Sequence, residues 1–139
     1  MSIYISSGSY SNLDINEIFK LYNSINFRSI EFSGGKYQKN LKVVLKKNIY
    51  NNKLSFHNYF PPPKKSFVIN LASDDSIIVN LSVKQLIKSI DLCCEFGINQ
   101  FSFHAGFLID PQINQLGKII KKRNLISKEK GMNNFFKNL

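Results

Sequence analysis

The sequence predicts an α/β fold with about four parallel strands and covering helices, and three observations support it. A short apolar run ending in a polar group recurs as Ser29-Ile30-Glu31-Phe32, Leu54-Ser55-Phe56-His57 and Phe101-Ser102-Phe103-His104. Strand-like starts near residues 3, 28, 53 and 101 are separated by helical segments, and parallel strands require such covered crossovers, almost always right-handed. Finally, 139 residues at 43% hydrophobic and 13% aromatic content give one domain with a real core, residues 1–139, where two domains would be cramped.

Ile3-Tyr4-Ile5-Ser6 alternates and opens into Ser7-Gly8-Ser9, a first strand and its loop. Asp14 then precedes Glu17 by three residues, the spacing of a capping box, with Leu13 and Ile18 placed as a hydrophobic staple. Ile15, Ile18, Phe19, Tyr22 and Ile25 form the helical stripe that follows. A second strand over 28–32 is broken by Ser33-Gly34-Gly35, and a second helix over 38–47 carries Leu41, Val44 and Leu45. The third strand, 53–57, runs into Asn58-Tyr59-Phe60 and three prolines, which cannot continue a sheet ladder or enter a helix interior. Phe67-Val68-Ile69-Asn70-Leu71-Ala72 is strand-like in composition, but the prolines before it and Ser73-Asp74-Asp75 after it mark an extended piece of loop.

The third helix is expected to start at a Ser82 cap answered by Gln85, with Leu81 and Leu86 as staple and Gly97 as its end. Its stripe would be Val83, Leu86, Ile87, Ile90, Cys93 and Cys94, which makes the two cysteines small core-side residues in a reducing compartment. A fourth strand delivers His104. Ser127 is the cap expected for a last helix striped by Met132, Phe135, Phe136 and Leu139. That stripe runs off the end of the chain, as in a domain truncated in its fourth helix.

Nineteen Lys and Arg against nine Asp and Glu give a formal charge of +10, which raises the question of nucleic acid or an anionic membrane. Seventeen of the nineteen are Lys, and much of the excess lies beyond residue 117. Phosphate and base readout favour Arg forks, so nucleic acid is not the expected partner. The first ten residues lack a basic segment followed by an apolar run, so no secretory signal is read, and no stretch approaches the roughly 20 apolar residues of a membrane span. A soluble cytoplasmic protein is the expectation.

Successive strand side chains point to opposite faces. Ser29, Glu31, Ser55, His57, Ser102 and His104 therefore share one face of parallel strands, while Ile30, Phe32, Leu54, Phe56, Phe101 and Phe103 hold the other. His57 and His104 would project side by side over the carboxyl-end rim with Glu31 one strand further along. Two imidazoles and a carboxylate suit zinc, manganese or iron, and ligands bind at this end of open α/β sheets and barrels alike.

The succession of the Glu31 and His57 strand ends, the 67–73 segment, Leu86-Ile87-Lys88-Ser89-Ile90-Asp91-Leu92-Cys93, Gly97 and Phe101-Ser102-Phe103-His104-Ala105-Gly106-Phe107 resembles the amino-terminal half of the sugar phosphate isomerase/epimerase superfamily. This is the xylose-isomerase-like TIM barrel group, to which the endonuclease IV type of DNA repair enzyme is related. The resemblance implies a partial (β/α)8 barrel and a metal-dependent isomerase or epimerase of a sugar or sugar phosphate. It implies a divalent ion (zinc, manganese, magnesium or cobalt) facing His57 and His104, with Glu31 hydrogen-bonding substrate hydroxyls. The main metal ligands and acid/base carboxylates of the sugar epimerases come from later strands, so coordination here would be incomplete, and another chain or a second copy would complete the barrel. The endonuclease branch, whose strand-end histidines match His57 and His104, implies abasic-site hydrolysis as the alternative. A non-catalytic basic binding protein or inactive fragment is a third reading.

Overall fold

The structure, a computed structural model, describes residues 3–120 and 124–139. Four strands, β1 (Ile5–Ser6), β2 (Ser29–Phe32), β3 (Lys53–His57) and β4 (Phe101–Ser102), form one parallel sheet in the order β1-β2-β3-β4. Four α-helices accompany them: α1 (Ile15–Ser24), α2 (Leu41–Asn48), α3 (Ser76–Phe96) and α4 (Lys128–Asn138). The α/β class and parallel order follow the strand-end pattern of the sequence. The segment 67–72 is not a strand.

Helix α1 begins at the expected cap. The Glu17 amide donates to Asp14 Oδ1 at 2.9 Å and the Asp14 amide to Glu17 Oε2 at 2.7 Å, which satisfies two donors that a helix start leaves open. Ile15, Ile18, Phe19 and Tyr22 are buried, but Ile25, expected to extend the stripe, caps the helix and is exposed.

By its contacts the chain divides into two compact units. The first runs to Lys64 and includes Lys88–Phe103. Its core joins the α1 stripe to Ile30 and Phe32 of β2, Leu54 and Phe56 of β3, and Leu92 and Cys93 of α3. Phe60, beyond the third strand, completes it: its ring stacks on Phe32 at 4.9 Å and meets Phe56 at 4.4 Å. Burial of each such ring contributes about 1.5–3 kcal/mol. The alternation expected over residues 3–6 does not lead to burial, because β1 is an edge strand with a neighbour on one side only; Ile3, before the strand, is 77% exposed and Ile5 is also exposed.

The second unit holds Lys65–Ile87 and His104–Leu139. Helix α3 starts six residues before the expected Ser82 cap. The Asp75 carbonyl accepts from the Val79 amide and its side chain from the Ile77 amide at 2.8 Å. Ser82 is interior and fully buried, donating to the Ile78 carbonyl at 2.7 Å, the back-bond a mid-helix serine makes to residue i−4. The buried positions of α3 are therefore Ser82, Gln85, Leu86, Ser89, Leu92 and Cys93, while the expected core residues Ile87, Ile90 and Cys94 are exposed. Burial, and to a lesser degree Cys94, pushes the Cys93 thiol pKa up.

The Ser127 cap of α4 is present, with its hydroxyl accepting from the Lys130 amide at 3.1 Å. The helix turns a different face inward from the one its apolar stripe suggests. Asn134 Nδ2 donates to the Ala72 and Ser73 carbonyls at 3.2 Å and to Asp74 Oδ1 at 2.8 Å, and Asn138 Nδ2 donates to the Leu71 carbonyl at 2.9 Å. Met132, Phe136 and Leu139 are exposed, because residues 71–73 present backbone oxygens, and Asp74 its carboxylate, that need donors more than apolar cover. Lys130 pairs with Asp74 at 2.6 Å, while Lys121, Lys122 and Arg123 of the basic tail lie outside the described residues.

Hydrogen bonds from Lys130 first, and then Asn134, hold the Asp74 carboxyl below its ordinary pKa against a smaller opposing desolvation. A depressed folded-state pKa contributes stability that is present above the unfolded value and lost as pH falls through the folded one. Acid titration followed by NMR is expected to release the Asn134 side-chain amide only below the ordinary carboxylate range, with no such step in Asp74→Asn. An Asp74 midpoint at the ordinary value would contradict this.

Candidate functional site

The carboxyl end of β2 is built by backbone and serine hydrogen bonds that continue past the short first strand. The Ser7 amide donates to the Glu31 carbonyl at 2.8 Å, and the Ser33 amide donates to Ser7 Oγ at 3.1 Å. Glu31, one residue before the end of β2, thus sits in a fixed backbone. Its side chain is half-buried, and Oε1 accepts from Ser33 Oγ at 3.2 Å. Ser33 Oγ in turn shares a 2.5 Å hydrogen bond with Ser6 Oγ.

The parallel register sets Ser6 beside Glu31 and Glu31 beside Ser55, so the three side chains rise from one row of the sheet on one face. Ser55 is 2% exposed, and its hydroxyl has no hydrogen-bond partner among the described residues. Buried hydroxyls are nearly always paired. Sequence reading placed Ser55 on this face but gave it no part in the site.

His57 is the last residue of β3 and half-buried. It is one row further along than Glu31, in register with Ser102. The Asn58 amide donates to the Ser102 carbonyl at 2.8 Å, and the Phe60 amide to the His57 carbonyl at 3.1 Å. Asn58 has a φ of 43°, so the chain turns away immediately and the third strand offers nothing more to pair with. That is why β4 stops at Ser102: the expected delivery of His104 by a fourth strand is corrected, since His104 lies two residues beyond it. Glu31 and His57 belong to the first unit; His104 opens the second, where it is exposed.

Asn70, whose role sequence reading missed, organises the loop that begins at His104. Its Oδ1 accepts from the Ala72 amide at 3.1 Å and the Phe107 amide at 2.9 Å. Its Nδ2 donates to the carbonyls of Phe107 at 3.1 Å and Ile109 at 3.0 Å and to Asp110 Oδ1 at 2.7 Å, while its own amide donates to Ser82 Oγ at 2.9 Å. The Leu71 amide completes the tie by donating to the Ala105 carbonyl at 3.2 Å. One polar residue inside the apolar 67–72 run was the available signal: an asparagine that would be misplaced in a buried strand is well used in a loop, where both ends of its amide can bond backbone.

Imidazole and carboxylate donors of the kind that bind zinc or manganese are present at these strand ends. Among the described residues, however, no three His, Cys, Asp or Glu side chains gather as a metal-holding group. Also among them, no helix is long and apolar enough to cross a membrane. No protein-family model and no curated protein matches the chain.

Gly106 has a φ of +132°, and a Cβ there would stand 2.0 Å from Asn70 Oδ1. Gly106→Ala is therefore expected to cost about 2–4 kcal/mol in urea unfolding, from backbone strain and displaced hydrogen bonds. Gly34, where a Cβ meets nothing within 4 Å, serves as the control, with Gly34→Ala expected to be near neutral. Equal stability of the two variants would remove Asn70 from its place as organiser.

Proposed function

We propose that the chain supplies substrate-binding strand ends of a metal-dependent sugar or sugar phosphate isomerase or epimerase, as the amino-terminal half of a (β/α)8 barrel. The resemblance of its strand-end motifs suggests the family, and four parallel strands in sequential order agree with that fold. The observation that carries the functional reading is Glu31: a half-buried carboxylate near a strand's carboxyl end, one oxygen steadied by Ser33 and the other without a partner among the described residues. Such a group accepts charge-assisted hydrogen bonds from ligand hydroxyls, about twice as strong as neutral ones.

Within this reading Glu31 binds and orients a polyol, presenting the carbon whose proton is moved. His57 and His104 are proposed, each within its own unit, to bind a divalent cation, as the resemblance implies. That ion would polarise the substrate's hydroxyl and carbonyl oxygens when bound. The donor types fit such an ion, whereas the number of gathered donors does not, so it would need ligands from outside the described residues. The carboxylates that move the proton are likewise sought elsewhere, and no general base is assigned in this chain.

Calorimetric titration with ketoses and ketose phosphates in the presence of manganese tests the proposal on the protein that carries this chain. Glu31→Gln is expected to weaken binding about 10–100-fold, the worth of a hydrogen bond to a charged group. His57→Ala and His104→Ala are each expected to lower bound manganese. Unchanged sugar affinity and metal content in all three variants would defeat the reading, and cleavage of an abasic DNA duplex without any sugar binding would replace it with the endonuclease one.

A further inference from the structure

Two groups on one row of the sheet have unfilled hydrogen-bonding capacity, and they are complementary. Ser55 Oγ is a buried hydroxyl with neither donor nor acceptor partner among the described residues. Its register neighbour is Glu31, whose Oε1 is bonded to Ser33 Oγ and whose Oε2 has no partner among the described residues. Adjacent parallel strands are about 4.8 Å apart, with register partners pointing to the same face. Their side chains therefore share a face one strand apart, close enough for a glutamate side chain to swing its head onto a neighbouring serine.

We propose that Ser55 is the positioning residue of Glu31. Rotation about the Glu31 side-chain torsions brings Oε2 onto the Ser55 hydroxyl, which donates to it. An ionised carboxylate offers about four acceptor sites over its two oxygens. Ser33 and Ser55 then occupy one site on each oxygen, so that one further site on each is directed away from the sheet. Two acceptor sites, one per oxygen and held in one plane, match the neighbouring hydroxyls of a vicinal diol. This selects a cis-diol face of a ketose or polyol over an isolated alcohol. The inference rests on the reading of Glu31 as a ligand-binding carboxylate and extends it to the residue that aims it.

The surroundings favour such a role over a purely structural one. Ser7, the other fully buried serine at this end of the sheet, is engaged with the β2 backbone through both its amide and its hydroxyl. Ser6 is engaged through Ser33 and the Gly8 amide. Of the hydroxyls of Ser6, Ser7, Ser33 and Ser55, that of Ser55 alone has no partner among the described residues, and its register neighbour Glu31 has an oxygen that is also unengaged among them.

The test labels the side-chain carboxyl carbons of the four glutamates, Glu17, Glu31, Glu95 and Glu129, with carbon-13, the Glu31 resonance being assigned by its loss in Glu31→Gln. Ser55→Ala is expected to move the Glu31 resonance and leave the other three in place, which also shows that the fold is intact. Ser55→Thr, which keeps a hydroxyl, is expected to restore it. Titration with a cis-diol probe, ribitol, is expected to be weakened at least tenfold by Ser55→Ala and recovered by Ser55→Thr. A Glu31 resonance indifferent to Ser55→Ala would overturn the proposal even if Glu31→Gln abolishes sugar binding. A resonance that responds to Ser55 while Glu31→Gln leaves sugar binding untouched would uphold the pairing and remove the substrate role.

Discussion

The pairing of β2 with β3 is the constraint on which the rest depends. Its register, Ser29 with Lys53 through Phe32 with Phe56, sorts every side chain of both strands to a face. Ile30, Phe32, Leu54 and Phe56 go to the core, and Glu31, Ser55 and His57 go to the other side. A slip of one residue would exchange the two sets, setting a carboxylate and an imidazole among phenylalanines. The cost of burying those groups unpaired is what makes the register specific. The aromatic cluster holds it from below: Phe19 meets Phe32 edge-on at 5.1 Å, and Phe60 lies against both Phe32 and Phe56.

The same pairing explains the limits of the sheet. The third strand ends at His57 because Asn58 turns the chain, and Phe60 returns into the core, where its carbonyl accepts from Ser89 Oγ at 2.7 Å. With no ladder left, the fourth strand is only two residues long. Glu31, His57 and His104 thus fall near the places where strands stop. There the backbone is held on one side and the side chain is open on the other.

The strands, the parallel order and the α1 cap were legible because each rests on local pattern: alternation of two and a carboxylate pair at N-cap and N3. What was not legible depends on partners distant in the chain. Ser82 followed by Gln85 reads as a capping box, yet Ser82 serves Asn70 and the Ile78 carbonyl inside a longer helix. The apolar stripe of α4 suggested burial, yet the carbonyls of Leu71, Ala72 and Ser73 recruit Asn134 and Asn138 instead. Glu31 could be placed near a strand end, and His57 at one, from sequence. The unpartnered hydroxyl of Ser55 could not, because satisfaction of a hydrogen bond is a property of neighbours and not of a motif.

The most direct measurement is the inter-strand register by NMR. Cross-strand contacts between the backbone protons of Ile30 and Leu54 and of Phe32 and Phe56, together with slow hydrogen exchange of the Phe56 and Asn58 amides, which donate to Gln100 and Ser102, are the expected result. Contacts displaced by one residue, or an antiparallel pattern between these strands, would contradict it and would take Glu31, Ser55 and His57 off their common face.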